Sequence, residues 1–264
     1  MVDVKAQPGF KTMALICLVL LYSPILILIV FAFNSGDIIM RWEGVSLHWF
    51  GVAFTNPEFQ NAAWNTLRIS AVATIAATLF ATLAAIGMTR IKPWPGMKTA
   101  FMVINLPLMV PEIITAVATL SFFALLAQVF RLNFGIGNIM LAHIVFCIPF
   151  AFMPIRARLE DMDLTLENAA ADLYATPWNA FRRVTLPLLV PGIASGAALA
   201  FIVSFDDFTI TQLVAGPGQT TLPLYIWDQT RRPMTPEINA ISAILLMVSV
   251  LFITISFLIA RSRK

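Results

Sequence analysis

The feature that most constrains this chain is a series of long, nearly uncharged apolar runs. The first run, Thr12–Gly36, contains no charged residue, and a later run, Thr99–Phe130, contains only Glu112. About 20 apolar residues in a helix are enough to cross the hydrocarbon core of a bilayer. The runs therefore predict an all-α polytopic membrane protein with six membrane-spanning helices.

A single transmembrane domain is predicted to occupy the whole chain, because the runs leave only short connections between them. The predicted spans cover residues 13–33, 66–89, 100–130, 133–155, 187–208 and 238–260. Residues 156–186 form the longest predicted connection on the cytoplasmic side. We call this connection the 156–186 loop.

Composition agrees with a membrane protein and excludes several other classes. The chain is 59% hydrophobic and 12% charged, whereas a soluble domain is about 45–50% apolar and about 25% charged. Too little polar surface remains for a soluble enzyme or a nucleic-acid binder, despite a pI of 9.1. The two cysteines, Cys17 and Cys147, lie in apolar runs and favour neither a disulfide framework nor a metal site.

The distribution of basic residues predicts the orientation in the membrane. Of the 17 Lys and Arg residues, 12 fall on the side that carries both termini. They include Lys5 and Lys11 before the first span and Arg261, Arg263 and Lys264 after the last. Basic loops favour the cytoplasmic side, so both termini are predicted to be cytoplasmic.

The 156–186 loop has the pattern of two short helices. Thr165 is a candidate helix cap before an Ala-rich stretch, and Thr176-Pro177 marks a second helix start. The break is expected near Ala175 and Thr176. Periodicity alone leaves two interpretations open: a surface helix pair that fills a loop, or a docking element for a partner protein.

The residues of this loop resemble a known motif. Asn168-Ala169-Ala170, then Tyr174 and then Leu186-Pro187 have the spacing of the EAA loop in binding-protein-dependent ABC importer permeases. The resemblance implies the type I ABC importer permease fold with a cytoplasmic coupling helix. The residues that it assigns to ATPase coupling are Glu167, Asn168, Ala169, Ala170, Asp172, Tyr174, Leu186 and Pro187.

Two positions depart from the motif, since Asn168 replaces its Glu and Tyr174 replaces its Gly. We expect the loop still to dock on the ATPase, but with different local contacts, because Gly at the second position favours a positive φ.

Further segments resemble the putrescine and spermidine permeases within that family. They are Leu106–Ile114, Ser204–Phe208, Gly216–Gly218, Thr221–Pro223 and Pro236–Ala240. The resemblance implies a bacterial inner-membrane subunit that works with a second permease subunit, two ATP-binding subunits and a periplasmic polyamine-binding protein. The alternatives are an ABC permease for iron, sulfate or another small solute, and an ion-coupled secondary transporter.

Three acidic residues are candidates for the substrate path. A polyamine carries several ammonium groups, which need anionic partners and can also use aromatic faces. Glu112 is the only acid deep inside a predicted span, and such acids usually face a bundle interior or an aqueous cavity. Of the adjacent Asp206 and Asp207, at most one is expected to face the path. The alternatives are a buried, paired acid at Glu112 and a solvated helix end at the two aspartates.

The sequence does not predict a catalytic site, a metal site or a cofactor. It contains no phosphate-binding loop of the type Gly-x-x-x-x-Gly-Lys-Ser/Thr, so ATP hydrolysis is assigned to partner subunits. His143 is expected to be a packed, hydrogen-bonded residue. The pair His143 and Cys147 is the only candidate for an intramembrane enzyme, and a thiol in apolar surroundings is inert.

Overall fold

The computed structural model describes residues 9–39, 41–231 and 235–261. Lys5, Arg232, Arg263 and Lys264, which entered the orientation prediction, lie outside these ranges. The helices of the described residues are α1 Phe10–Ala32, α2 His48–Thr55, α3 Pro57–Thr89, α4 Met97–Met109, α5 Glu112–Phe130, α6 Ile136–Asp161, α7 Thr165–Asp172, α8 Pro177–Ala180, α9 Leu186–Phe205, α10 Thr209–Val214, α11 Leu222–Thr230 and α12 Glu237–Arg261.

Six helical segments of the described residues are long and apolar enough to cross a membrane. This confirms the six predicted spans, and the fifth of them includes α8, a π-helical turn over Phe181–Thr185 and α9. Helices α10 and α11 lie between the fifth and sixth spans, where the sequence predicted no helix.

The predicted span over 100–130 is not one continuous helix. It is divided into α4 and α5 by Val110 and Pro111. Val110 is extended, with φ −96° and ψ 135°, because the proline ring disfavours a helical conformation in the residue before it. Pro111 also lacks an N–H group, so it cannot donate the helical hydrogen bond at this position. Glu112 consequently begins a helix instead of lying inside one.

The second span also differs from its predicted bounds, since α3 begins at Pro57 and not near 66. The Asn56 side chain accepts hydrogen bonds from the N–H groups of Glu58 at 2.9 Å and Phe59 at 3.5 Å. A capping Asn followed by Pro at the first helical position is a favourable helix start. The cap therefore extends α3 into a polar stretch that the hydropathy pattern left out.

The chain divides into two compact units. One unit comprises Met1–Gln60 and Ile226–Met247, and the other comprises Asn61–Tyr225 and Val248–Lys264. In the first unit, the buried Asn34 fixes the turn after α1. Its amide nitrogen donates to the carbonyl of Arg41 at 2.6 Å, and its oxygen accepts from the N–H of Glu43 at 2.9 Å.

The core of the second unit lies where α6 packs against α9 and the small residues of α3. Fully buried side chains from α6 include Phe152, Ile155 and Leu159. From α3 the core takes Ala77, Ala81 and Ala85, which recur every four residues on one face of the helix. Small side chains allow close approach of helix backbones in a membrane protein.

Gly196 lies where α9 closely approaches the backbone of α6. A Cβ atom at this position would lie 2.6 Å from the carbonyl oxygen of Ala151 and 3.0 Å from the side chain of Ile155. The first contact is with rigid backbone, so the two helices can accommodate a larger residue only by moving apart.

We predict that Gly196→Ala lowers the free energy of unfolding by about 1–3 kcal/mol, the usual cost of overpacking. Gly87→Ala is the matched control, because no atom lies within 4 Å of the Cβ position there and alanine favours a helix. Thermal unfolding of both variants in detergent tests this. Equal melting temperatures for Gly196→Ala and the unsubstituted protein would contradict the packing argument.

Candidate functional site

The three acidic residues singled out in the sequence surround one cavity in the second unit. The cavity has a volume of about 380 Å³. Glu112 lines it from the start of α5, and Asp206 and Asp207 line it from the connection between α9 and α10. The other lining residues are apolar, aromatic or hydroxyl-bearing: Phe146, Phe150, Ile202, Val203, Phe208 and Thr209.

Glu112 reaches the cavity because of the helix break before it. Pro111 is the cap residue of α5, and its carbonyl accepts the N–H of Ile114 at 2.9 Å. Glu112 lies in the first turn of α5, where the free N–H groups of a helix stabilise a negative charge. Its side chain is exposed. The break thus presents a carboxylate to the cavity from a helix start.

Asp207 is buried, with 6% of its surface exposed, and both of its carboxylate oxygens have partners. Oδ2 accepts from the backbone N–H of Thr211 at 2.9 Å and from the hydroxyl of Thr211 at 2.8 Å. Oδ1 accepts from the N–H of Ile210 at 3.3 Å. Asp207 therefore holds the first turn of α10 in place.

His143 completes this buried network. Its Nδ1 lies 2.8 Å from the Ser204 hydroxyl, and its Nε2 lies 3.1 Å from the Thr211 hydroxyl and 3.2 Å from Oδ2 of Asp207. The imidazole thereby links α6, α9 and α10. The expectation that His143 is a packed, hydrogen-bonded residue is confirmed. Its partners Ser204, Thr211 and Asp207 could not be predicted from the sequence pattern.

The adjacent Asp206 has a different environment. Its side chain is exposed, and its backbone N–H closes α9 by donating to the carbonyl of Ile202 at 3.0 Å. Both aspartates line the cavity, but Asp206 is exposed whereas Asp207 is buried and bonded within the protein. Asp206 and Glu112 are thus the two accessible carboxylates of the cavity.

Neither the buried network nor Cys147 is arranged for catalysis. Ser204, His143 and Asp207 are the residue types of a hydrolase triad, but Ser204 is 3% exposed and a nucleophile must reach its substrate. Cys147 is fully buried and donates to the carbonyl of Ala200 at 3.5 Å. Within 9–39, 41–231 and 235–261, no cluster of three or more His, Cys, Asp or Glu side chains is arranged to hold a metal ion.

The 156–186 loop contains the two predicted short helices, α7 and α8, so this prediction is confirmed. Its first residues belong to α6, which continues to Asp161. Thr176 caps α8 as predicted, since its hydroxyl accepts the N–H of Asn179 at 3.4 Å. The prediction that Thr165 caps α7 is wrong. Asp163 precedes it and accepts the Thr165 N–H at 2.8 Å, and this bond lowers the pKa of the Asp163 carboxyl.

Tyr174 keeps the backbone conformation for which glycine is preferred. Its φ is 56°, which is in the left-handed region. The N–H of Tyr174 donates to the carbonyl of Ala171 at 2.9 Å, and the N–H of Ala175 donates to the carbonyl of Ala170 at 3.0 Å. This pair of bonds is a Schellman motif with Tyr174 at its left-handed position. The turn therefore survives the replacement of Gly by Tyr.

Several large side chains of the loop are exposed around this turn. Leu173, Tyr174 and Trp178 are 81%, 96% and 65% exposed. Asn168, Ala169 and Asp172 are also exposed, whereas Ala170 and Leu186 are half-buried and Pro187 is exposed in the first turn of α9. Glu167 differs from these residues, because its Oε1 accepts from Nε of Arg90 at 3.0 Å and from the Thr185 hydroxyl at 3.1 Å.

Comparison with known proteins identifies the class. Residues 77–262 match the family described as binding-protein-dependent transport system inner membrane component. The chain belongs to this family, and is therefore a multi-pass inner-membrane transport subunit and not an enzyme.

Two similar relatives are polyamine permeases of Escherichia coli. The chain is 36% identical to the putrescine transport system permease protein PotI over 92% of its length and 88% of the relative. It is 33% identical to the spermidine/putrescine transport system permease protein PotC, over 92% of its length and 90% of the relative. A bacterial ABC transporter involved in alginate import has the same fold, with a TM-score of 0.75, 18% identity and coverage of 96% and 93% of the two chains. The chain thus has the type I ABC importer permease fold.

The contrast between the adjacent aspartates gives a prediction about stability. Asp207→Asn removes a charge-assisted acceptor from buried donors, and we expect a loss of about 1–3 kcal/mol in the free energy of unfolding. Asp206→Asn is the matched control and should unfold like the unsubstituted protein, because Asp206 is exposed. Thermal unfolding in detergent distinguishes the two variants. If Asp206→Asn is the less stable of the pair, the assignment of the two environments is wrong.

Proposed function

We propose that this chain is the permease subunit of an ATP-driven polyamine importer. Together with a second permease subunit, it would form the path for putrescine or spermidine that a periplasmic binding protein delivers. Two ATP-binding subunits would hydrolyse ATP on the cytoplasmic side. The names of the similar relatives PotI and PotC support the substrate class.

The observation that carries this proposal is the meeting of two accessible carboxylates and several aromatic rings in one cavity. Glu112 and Asp206 are separated along the chain, yet both line the cavity together with Phe146, Phe150 and Phe208. A diamine offers two ammonium groups for carboxylates and an aliphatic chain for the rings, and ammonium groups are also attracted to aromatic faces. Typical ligand pockets measure about 300–1,000 Å³, a range that includes this cavity.

The three acids have different roles in this proposal. Glu112 and Asp206 would bind the ammonium groups directly. Asp207 would take no direct part in binding the substrate, because its oxygens are used by Thr211, Ile210 and His143. It would instead hold α10, and therefore the wall of the cavity, in position.

The 156–186 loop would transmit the energy of ATP hydrolysis. In the proposed orientation, both termini and this loop lie in the cytoplasm. Residues 1–264 would form one permease domain. The exposed Asn168, Ala169 and Asp172 and the half-buried Ala170 belong to α7. Leu173, Tyr174 and Trp178 would provide the apolar contacts to an ATP-binding subunit, since exposed aromatic side chains are typical anchors of interfaces. Leu186 and Pro187 would connect the loop to α9.

We predict that Glu112→Gln and Asp206→Asn each reduce the initial rate of putrescine uptake by about tenfold or more. Each variant removes one charge-assisted hydrogen bond to an ammonium group, a loss of about 1.5–3 kcal/mol. The measurement is uptake of radiolabelled putrescine by the complete transporter in ATP-loaded proteoliposomes. Asp161→Asn is the control, because Asp161 is exposed at the far end of α6. Uptake at the unsubstituted rate in both cavity variants would remove these residues from the path.

We predict that Tyr174→Gly weakens co-purification of the ATP-binding subunit although it relaxes the backbone. Glycine adopts the left-handed conformation at no cost, which stabilises the turn by about 1 kcal/mol, but the exposed ring is lost. Arg131→Gly is the matched control, because Arg131 is the other described non-glycine residue with positive φ, at 53°, and it lies outside the loop. If both variants retain the ATP-binding subunit equally, the ring is not part of the interface.

A further inference from the structure

Three polar side chains join the 156–186 loop to two membrane spans of the second unit. Arg90 directly follows the last residue of α3, Glu167 lies in the first turn of α7, and Thr185 directly precedes α9. Oε1 of Glu167 accepts from Nε of Arg90 at 3.0 Å and from the Thr185 hydroxyl at 3.1 Å. One carboxylate oxygen thus holds three segments together.

This ion pair is shielded from water. The side chains of Arg90 and Glu167 are 15% and 21% exposed, whereas those of Arg156 and Glu160, an ion pair within α6, are 31% and 52% exposed. Charges attract more strongly where water is partly excluded. The free carbonyls at the end of α3 also stabilise the Arg90 cation, and the first turn of α7 stabilises the Glu167 carboxylate.

No residue of α7 is fully buried, so the polar contacts of Glu167 contribute to holding this helix in position. Apolar burial normally fixes a short helix in a protein, and an isolated helix of this length is unstable in water. Of the ion pairs found in the described part of the chain, the Arg90–Glu167 pair is the one that connects α7 to the residue directly after α3.

We propose that Glu167 is a positioning residue that ties the coupling helix α7 to the end of α3 and the start of α9. This inference rests on the proposed function and gives Glu167 a role different from the other residues of the loop. Glu167 contacts its own chain, whereas Asn168, Leu173 and Tyr174 face outward for the ATP-binding subunit. A displacement of α7 by that subunit is then passed through the Glu167 carboxylate to two spans, one of which ends beside the acidic cavity.

The test is a charge exchange in the complete transporter in proteoliposomes. The variants are Arg90→Glu, Glu167→Arg and the double variant that carries both, with Glu160→Arg as the control for reversing an exposed acid of an ion pair. Two quantities are measured: putrescine taken up per ATP hydrolysed, and the amount of ATP-binding subunit that co-purifies. Glu167→Gln, which keeps the size and removes the charge, is included because a charge reversal can disturb folding.

Each single reversal, and Glu167→Gln, should lower uptake per ATP about tenfold while the ATP-binding subunit still co-purifies, as expected for loss of a charged hydrogen bond. The double variant should recover most of the uptake per ATP, and Glu160→Arg should behave like the unsubstituted protein. Glu167 is not a positioning residue if Glu167→Gln keeps normal uptake per ATP. The same conclusion follows if the reversals release the ATP-binding subunit and the double variant does not rebind it. An unsubstituted transporter without ATP-dependent putrescine uptake would instead overturn the proposed function.

Discussion

The cost of placing a carboxylate in apolar surroundings governs the organisation of this chain. Such a group is tolerated only with partners or beside an aqueous cavity. Asp207 and Asp206 illustrate the two solutions at neighbouring positions: Asp207 is buried with His143 and Thr211, and Asp206 is exposed at the cavity. The buried acid fixes the wall of the cavity, and this leaves the exposed acid available for a ligand.

The helix break at Pro111 likewise places a carboxylate, that of Glu112, beside the cavity. A continuous helix over 100–130 would place Glu112 among backbone groups that are all hydrogen-bonded to each other. The break places Glu112 in the first turn of α5, beside the cavity. In the proposed transporter, a cation would therefore meet the Glu112 carboxylate at a helix start on the wall of the cavity.

Much of the fold could be predicted from the sequence, because hydropathy and capping act over short distances. The six spans, the two short helices of the 156–186 loop and the packed state of His143 follow from runs and local patterns. The start of α3 at Pro57 was missed because its first turns are polar and are held by the Asn56 cap. The division of the 100–130 span at Pro111 was not predicted, since hydropathy does not distinguish a continuous helix from a divided one.

The site was predictable only as a set of residue types. No pattern in the sequence distinguishes Asp206 from Asp207, because the environment of Asp207 is set by His143 of α6, which is distant along the chain, and by α10, a short helix that hydropathy does not predict. The inward orientation of Glu167 has the same cause: its partners Arg90 and Thr185 come from other elements. Contacts of this kind appear once the helices are packed, and a motif defined by spacing does not contain them.

The central claim is that accessible carboxylates of the cavity bind the cargo while the buried network stays intact. A structure of the assembled transporter with bound putrescine tests this claim most directly. We expect the two ammonium groups to lie within hydrogen-bonding distance of Glu112 and Asp206, with Asp207 still bonded to Thr211 and His143. Putrescine bound away from this cavity, or bound by an Asp207 that has left His143, would rule out this mode of binding.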